Sequence, residues 1–247
     1  MIFTELQQGL GKEILESLTQ FFRSLDLRNT SMAYSGGLDS SLLLSISPKT
    51  VIPYTLGDRG SKDFSNSESG SRMLGYSTVF IPLSSVDLEK YVGIVRSVDP
   101  KIKKKDLGYE TVLAVLLDKM KENRVITGQG ADEIFYGYNI FRESPQLENS
   151  SHMKKLYNET LPREKKIAEY FGKELITPYL SDGILEIMKG VDRDTNFAGE
   201  YNKAILRTAA IHAGMPTDIV ERKKTAAQYG SGLLKKLKSM PLWNTLS

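Results

Sequence analysis

Leu6, Leu10, Ile14, Leu18 and Phe21 recur at helical spacing with Lys12, Glu13 and Glu16 between them, which predicts a helix from Glu5 to about Leu25. After it the period changes. Short apolar runs at Met32–Tyr34, Thr50–Leu56, Ser77–Leu83 and Arg124–Thr127 read as strands. Helical patterns fill the gaps: Asp39–Ser45, a segment running to about Leu74 behind a capping box at Ser65-Asn66-Ser67-Glu68, Asp87–Val98 and Asp106–Met120. Leu113, Leu116, Leu117 and Met120 share one face of the last, and Asp99-Pro100 ends the helix before it. Pro53 places the second strand at an edge or beside a bulge, because proline cannot donate to a ladder. Gly57–Asp63 reads as a polar loop. Repeated βα units predict an α/β fold, a doubly wound parallel sheet with helices on both faces. The chain divides into an N-terminal helix over 1–30 and one domain over 31–247 that is mostly helical from about Asn139. Leu233–Lys238 is amphipathic and reads as a docked terminal helix, too short for membrane anchoring.

Composition narrows this little. The 247 residues, 40% hydrophobic and 26% charged, suit a soluble globule with one large domain. A net charge of +3 does not call for nucleic acid. The absence of cysteine excludes a disulfide scaffold, thiolate zinc sites and a cysteine nucleophile. The N-terminus has no apolar signal core and no run is long enough for a membrane span, so a cytoplasmic location is the expectation. His152 and His212 stand alone and read as structural, and Lys101–Lys105 reads as a solvated basic loop near the site.

Two stretches carry chemistry. The first, Tyr34-Ser35-Gly36-Gly37-Leu38-Asp39-Ser40-Ser41, sits at a strand-to-helix turn, where backbone N–H groups and the helix dipole attract phosphate. Gly36 and Gly37 allow a close approach of the backbone, and the serines add hydroxyl donors. Asp39 beside a phosphate is repulsive unless a cation lies between them, which suggests Mg²⁺. The Walker A spacing and lysine are absent. The second stretch, Thr127-Gly128-Gln129-Gly130-Ala131-Asp132-Glu133-Ile134-Phe135-Tyr136-Gly137-Tyr138, follows another strand. Ligand crevices of open α/β sheets lie along the carboxyl ends of strands, so Asp39 and Asp132 can converge on one metal–phosphate site.

The first stretch resembles the Ser-Gly-Gly-x-Asp-Ser pyrophosphate loop of the PP-loop ATP pyrophosphatases. The second is similar to the Ser-Gly-Glu-Gly-Ser-Asp-Glu-x-Phe-x-Gly-Tyr motif of the asparagine synthetases. Thr177-Pro178-Tyr179-Leu180-Ser181-Asp182, Lys203-Ala204-Ile205-Leu206-Arg207 and Pro216–Lys224 resemble three later segments of that family, in the family's order. The β-lactam and carbapenam synthetases share this framework.

The resemblance implies an AMP-forming amide ligase. It would use ATP and Mg²⁺ to adenylate a carboxylate, aspartate's side chain first among them, and pass the acyl group to ammonia. By position, Ser35, Gly36, Gly37, Asp39 and Ser40 would hold pyrophosphate, and Asp39 and Asp132 the metal. Ala33, Leu56, Thr127 and Gly128 would line the adenosine site, and Lys224 would stabilise phosphate charge. Two departures stand out. The family's glutaminase domain, with its cysteine, is not in this sequence, so the expected nitrogen source is free ammonia, a separate glutaminase chain or another amine. Gln129 stands where asparagine-forming members carry a glutamate base, and it cannot take a proton. An RNA-modifying PP-loop enzyme, an ATP-binding regulator without catalysis and a homo-oligomer stay open.

Overall fold

The computed structural model describes residues 2–223, 226–241 and 243. Helix α1 (Glu5–Arg23) starts in a capping box: the Thr4 hydroxyl accepts from the Gln7 N–H, and the Gln7 side chain accepts from the Thr4 N–H. Its buried face is Gln7, Gly11, Ile14, Leu18 and Phe22, whereas Leu6 is 61% exposed. That is one notch round from the face the leucines predict. Gln7 takes the inward position because its amide donates to the Thr195 and Phe197 carbonyls. A polar side chain with both partners in place outcompetes a leucine there.

The alternation follows as β1 (Thr30–Ala33), α2 (Leu38–Ile46), β2 (Ile52–Leu56), α3 (Lys62–Met73), β3 (Val79–Ile81), α4 (Leu88–Val98), α5 (Lys104–Lys119) and β4 (Arg124–Ile126). Beyond it come α6 (Ala131–Ile134), α7 (Ile140–Glu143), α8 (Ser150–Lys155), a π-helical turn at Leu156–Thr160, α9 (Leu161–Tyr170), β5 (Glu174–Ile176) and α10 (Asp182–Met188). A short hairpin of β6 (Phe197–Ala198) and β7 (Tyr201–Asn202) leads to α11 (Ala204–His212), α12 (Thr217–Val220), α13 (Ala227–Gly230) and α14 (Leu233–Lys238). The main sheet is parallel throughout, in the order β3-β2-β1-β4-β5. Helices cover both of its faces, as the βα pattern predicts. Val125 packs into one core with Leu113, Leu117 and Ile167, while Ile126 packs into the other with Leu42, Leu206 and Ile14. Strands that feed two cores read as continuous apolar runs. The terminal helix α14 docks by burying Leu233, Leu234 and Leu237. No helix among the described residues is long and apolar enough to cross a membrane.

Two local expectations fail for identifiable reasons. Strand β2 is interior, not an edge, with Pro53 paired to Met32. Tyr54 O accepts from Tyr34 N–H, so Tyr54 faces β1 and the proline nitrogen faces the opposite flank. There the pairing with β3 begins only at Tyr54, and no ladder bond is lost. Helix α3 starts four residues earlier than its expected capping box, because Ser61 caps it by accepting from the Phe64 N–H. The stretch beyond Asn139 is mostly helical, as expected, with Glu174–Ile176 added as a fifth strand beside β4 and the short β6–β7 hairpin as a second sheet. Three residues carry no readable period; the neighbouring ladder and an Arg124–Glu174 ion pair at 3.1 Å define this strand.

Helix α1 lies against α11 at Gly11, where a Cβ would collide with the Thr208 side chain and the Ala209 backbone. Gly9, two residues earlier, has open space around it. Gly11→Ala is therefore expected to lower the unfolding free energy by about 1–3 kcal/mol through overpacking. Gly9→Ala is expected to leave it unchanged or raise it by about 0.5–1 kcal/mol through helix propensity. Urea denaturation of the two variants checks this, and equal effects would contradict the packing.

Candidate active site

Strands β1 and β4 are far apart in sequence but adjacent in the sheet, with β2 on the other side of β1. Connections therefore leave β1 and β4 in opposite directions, and a crevice opens above their carboxyl ends. Loop 34–37 enters it after β1. Gly36 has φ +69°, and a Cβ there would strike the Asn66 backbone on α3. Ser40 Oγ lies 3.3 Å from both Ser35 N and Ser35 Oγ, which tightens the loop. Helix α2, nine residues long, begins at Gly37 with no side-chain cap, so its first N–H groups point into the crevice.

Distant segments hold this loop. Arg222 donates from Nη1 to Gly36 O at 2.6 Å and Asn66 O at 2.8 Å, and from Nη2 to Ser69 Oγ at 2.8 Å. Arg207 donates from Nε to Asn202 O at 2.8 Å and grips the Val220 and Arg222 carbonyls from Nη1 and Nη2. Tyr179, fully buried, donates its hydroxyl to Asp39 O at 2.9 Å. Each of the three later motifs thus contributes one brace.

The centre of the crevice is a charge cluster. Lys203 Nζ sits 2.6 Å from Asp39 Oδ2 and 2.7 Å from Asp132 Oδ1. Lys203 is 4% exposed and adopts φ +58°, a left-handed conformation rare for a lysine. Gly137 makes the room, because a Cβ there would collide with Asp132 Oδ1 and Lys203 Cε. Burial alone would lower the Lys203 ammonium, but Asp132 and Asp39 together hold it above the ordinary lysine value. In the sequence Lys203 is marked only by its place in the Lys203–Arg207 motif. Its signal is position: it is four residues before Arg207, at the entry to the helix that carries this brace.

The two aspartates also fit the expected metal. Asp39 Oδ1 is buried and makes no hydrogen bond among the described residues, so an acceptor is left over. No three His, Asp or Glu side chains converge to form a cation cage among the described residues. Mg²⁺ is commonly bound by one or two carboxylates plus substrate phosphates and water, which is the donor set this site can offer.

A cavity of about 510 Å³ surrounds the cluster and is lined by Ser35, Gly37, Asp39, Ser40, Gln129 and Asp132 among others. Six expected residues are thus brought together. Gly36 belongs to the same loop; Ala33 and Leu56 end β1 and β2, and Thr127 and Gly128 follow β4, outside the lining. Lys224 lies outside the described residues. Several lining groups were not foreseen. His152, expected to be merely structural, faces the cavity while its ring packs on Tyr138 and Phe141. Lys155 pairs with buried Asp106 at 2.7 Å, and the Tyr138 hydroxyl donates to Glu133 Oε1 at 2.6 Å. Leu156 and Thr160 line the wall from the π-helical turn, a distortion frequent at functional sites.

The chain matches the family profile described as asparagine synthase over residues 28–154 and 148–240. It is 26% identical to a putative glutamine-hydrolysing asparagine synthetase of Methanocaldococcus jannaschii, over 93% of this chain and 50% of that protein. It is 24% identical to an asparagine synthetase of Asparagus officinalis, over 80% and 38%. It is 25% identical to a probable asparagine synthetase of Acanthamoeba polyphaga mimivirus, over 90% and 43%. The chain therefore spans half or less of these relatives. A solved structure of NMN synthetase from Francisella tularensis is similar with a TM-score of 0.48 at 13% identity, covering 97% of this chain and 83% of that one.

Asp63, on the first turn of α3, also lines the cavity and is 4% exposed. Gly230 of α13 packs directly on its carboxylate. Burial pushes this carboxyl up from 3.8 to about 7, against the pull of Lys62. A carboxyl whose folded value exceeds its unfolded one loses stability as pH rises between the two values, because the unfolded chain gives up its proton first. Asp63→Asn is expected to match the parent's thermal midpoint near pH 3.8 and to exceed it above about pH 7. Parallel midpoints across that window would contradict the burial.

Proposed function

Because this chain belongs to the asparagine synthase family, we propose that it is the ATP-pyrophosphatase part of an AMP-forming amide ligase. The observation that carries this reading is the Asp39–Lys203–Asp132 cluster, seated in front of the uncapped start of α2. Phosphate oxygens would meet the loop's N–H groups and serine hydroxyls on one side and the Lys203 ammonium on the other. Asp39 and Asp132 would hold Mg²⁺, which supplies neutralisation of the departing pyrophosphate. An oxygen of the substrate carboxylate attacks the α-phosphorus, the bond to the β-phosphate bridge oxygen breaks, and pyrophosphate leaves with the electron pair. A nitrogen lone pair then attacks the acyl carbon and AMP leaves with the electrons of the C–O bond. Aspartate is the carboxylate this reading favours. The nitrogen would come as ammonia, and these 247 residues carry no cysteine that could release it from glutamine.

Gln129 lines the cavity beside this cluster. Adenylation needs no general base, because a carboxylate is already nucleophilic at neutral pH. Amide formation does need one, because the attacking nitrogen must lose a proton. A glutamine can orient the amine but cannot accept that proton, so the first half-reaction should outrun the second.

The test is release of AMP and pyrophosphate across a panel of amino acids, with and without ammonium. The expected outcome is pyrophosphate release in the presence of one carboxylate, with AMP following more slowly as ammonium takes the acyl group; ADP and phosphate, or no pyrophosphate release, would refute the reading. Asp39→Ala and Asp132→Ala should each lower pyrophosphate release by about 10²-fold or more with cooperative unfolding retained. Gln129→Glu should raise ammonium-dependent amide formation by about tenfold or more, within the range a positioned base supplies. Equal amide formation by parent and variant would show that position 129 is not the base site.

A further inference from the structure

One wall of the cavity is built by α5 and α8, and its cations take no part in the steps above. Lys105 comes from α5, and His152 and Lys155 come from α8. The His152 ring is held between Tyr138 and Phe141, with centroids at 5.4 and 4.8 Å. Burial lowers this imidazole first, and Lys155 and Lys105 lower it further, so the three groups lie within electrostatic reach of one another. The carboxylates that α5 and the π-helical turn bring nearby are matched by other cations. Arg163 takes Glu110 at 2.6 Å, Lys103 takes Glu159 at 3.8 Å, and Lys155 takes Asp106 at 2.7 Å. Lys105 lines the same cavity, is exposed, and makes no ion pair among the described residues. Lys155 uses one of the three donors of its ammonium on Asp106 Oδ1. Two ammonium groups gathered beside one imidazole in a cavity favour an anion between them.

We propose that Lys105 and Lys155 form a subsite for a second, non-reacting carboxylate of the substrate, so that the carboxylate which is adenylated belongs to a dicarboxylic acid. The inference deepens the ligase reading: that reading supplies the reacting carboxylate, and the charges of the α5–α8 wall supply the second. Lys105 and Lys155 act here as specificity residues. By anchoring a remote group they orient the reacting one, and a monocarboxylate forgoes that anchor.

L-Aspartate and β-alanine differ by the second carboxylate alone, and succinate keeps both carboxylates without the amine. The chain has two histidines, His152 at the wall and His212 at the end of α11. Proton NMR of their imidazoles, with a non-hydrolysable ATP analogue in every sample, reads binding without turnover. Aspartate and succinate should each raise the His152 titration midpoint and leave His212 in place, because an anion beside an imidazole favours its charged form. β-Alanine should move neither. Lys105→Met should weaken aspartate binding by about tenfold, and Lys105→Arg should restore most of it. Lys155→Met combined with Asp106→Asn should show a similar loss, the pair being removed together so that no buried carboxylate is stranded. Binding of β-alanine as tight as that of aspartate, or a His152 midpoint that neither dicarboxylate moves, would overturn the subsite. So would loss of ATP-analogue affinity in Lys105→Met with the preference for aspartate intact, which would assign the lysine to the phosphates. Preference for aspartate over β-alanine without any pyrophosphate release would uphold the subsite and count against the ligase reading alone.

Discussion

The reversal of strand order at β1 is the constraint on which the rest depends. Strand β1 has β2 on one flank and β4 on the other, and their chains turn away from each other at the carboxyl ends. Only there can a loop from one strand and a loop from a strand about ninety residues later face each other without an intervening strand. Asp39 and Asp132 owe their meeting to this adjacency, and the buried lysine between them is what two facing carboxylates in a partly dry crevice require. The adjacent carboxyl ends bring the charges together, and Lys203 makes the arrangement tolerable.

A second layer of structure converts this adjacency into fixed geometry. The phosphate loop is held by carbonyl contacts from side chains far along the chain. Arg207 secures the segment carrying Arg222, and Arg222 secures Gly36 against α3. Tyr179 fixes the carbonyl of Asp39 from a third direction. Guanidinium groups suit this work, since one planar fork can satisfy several carbonyls at once and stays charged when half buried. The short motifs late in the chain thus serve mainly to hold the early loop in place, while Lys203, Arg207 and Arg222 also line the cavity.

The sheet, its handed alternation and the phosphate loop were legible in the sequence because each rests on local signals: a period, a glycine pair, a helix start. What escaped rests on long-range compensation. Pro53 reads as an edge residue until the short reach of β3 is known. Gln7 reads as polar surface until its two carbonyl partners appear. Strand β5 takes its conformation from β4 and not from its own three residues. At the site, the two aspartates could be paired from their motifs, but nothing in the local pattern around Lys203 says that its ammonium lies between them.

The packing of α1 on α11 has a consequence for how this chain is made. The two helices join residues 201 positions apart through Thr208 Oγ1 donating to Gln7 O. Closing so long a loop adds little to the equilibrium cost, because that cost grows only with the logarithm of length. It weighs far more on the order of events. A stripe of Ile14 and Leu18 made early has no apolar cover from Ile205, Leu206 and Ala209 until those residues are synthesised. During translation that stripe is a sticky surface in search of a substitute, the condition that invites aggregation or a chaperone's hold. The clasp that completes the native core is therefore also the reason its first helix waits the longest.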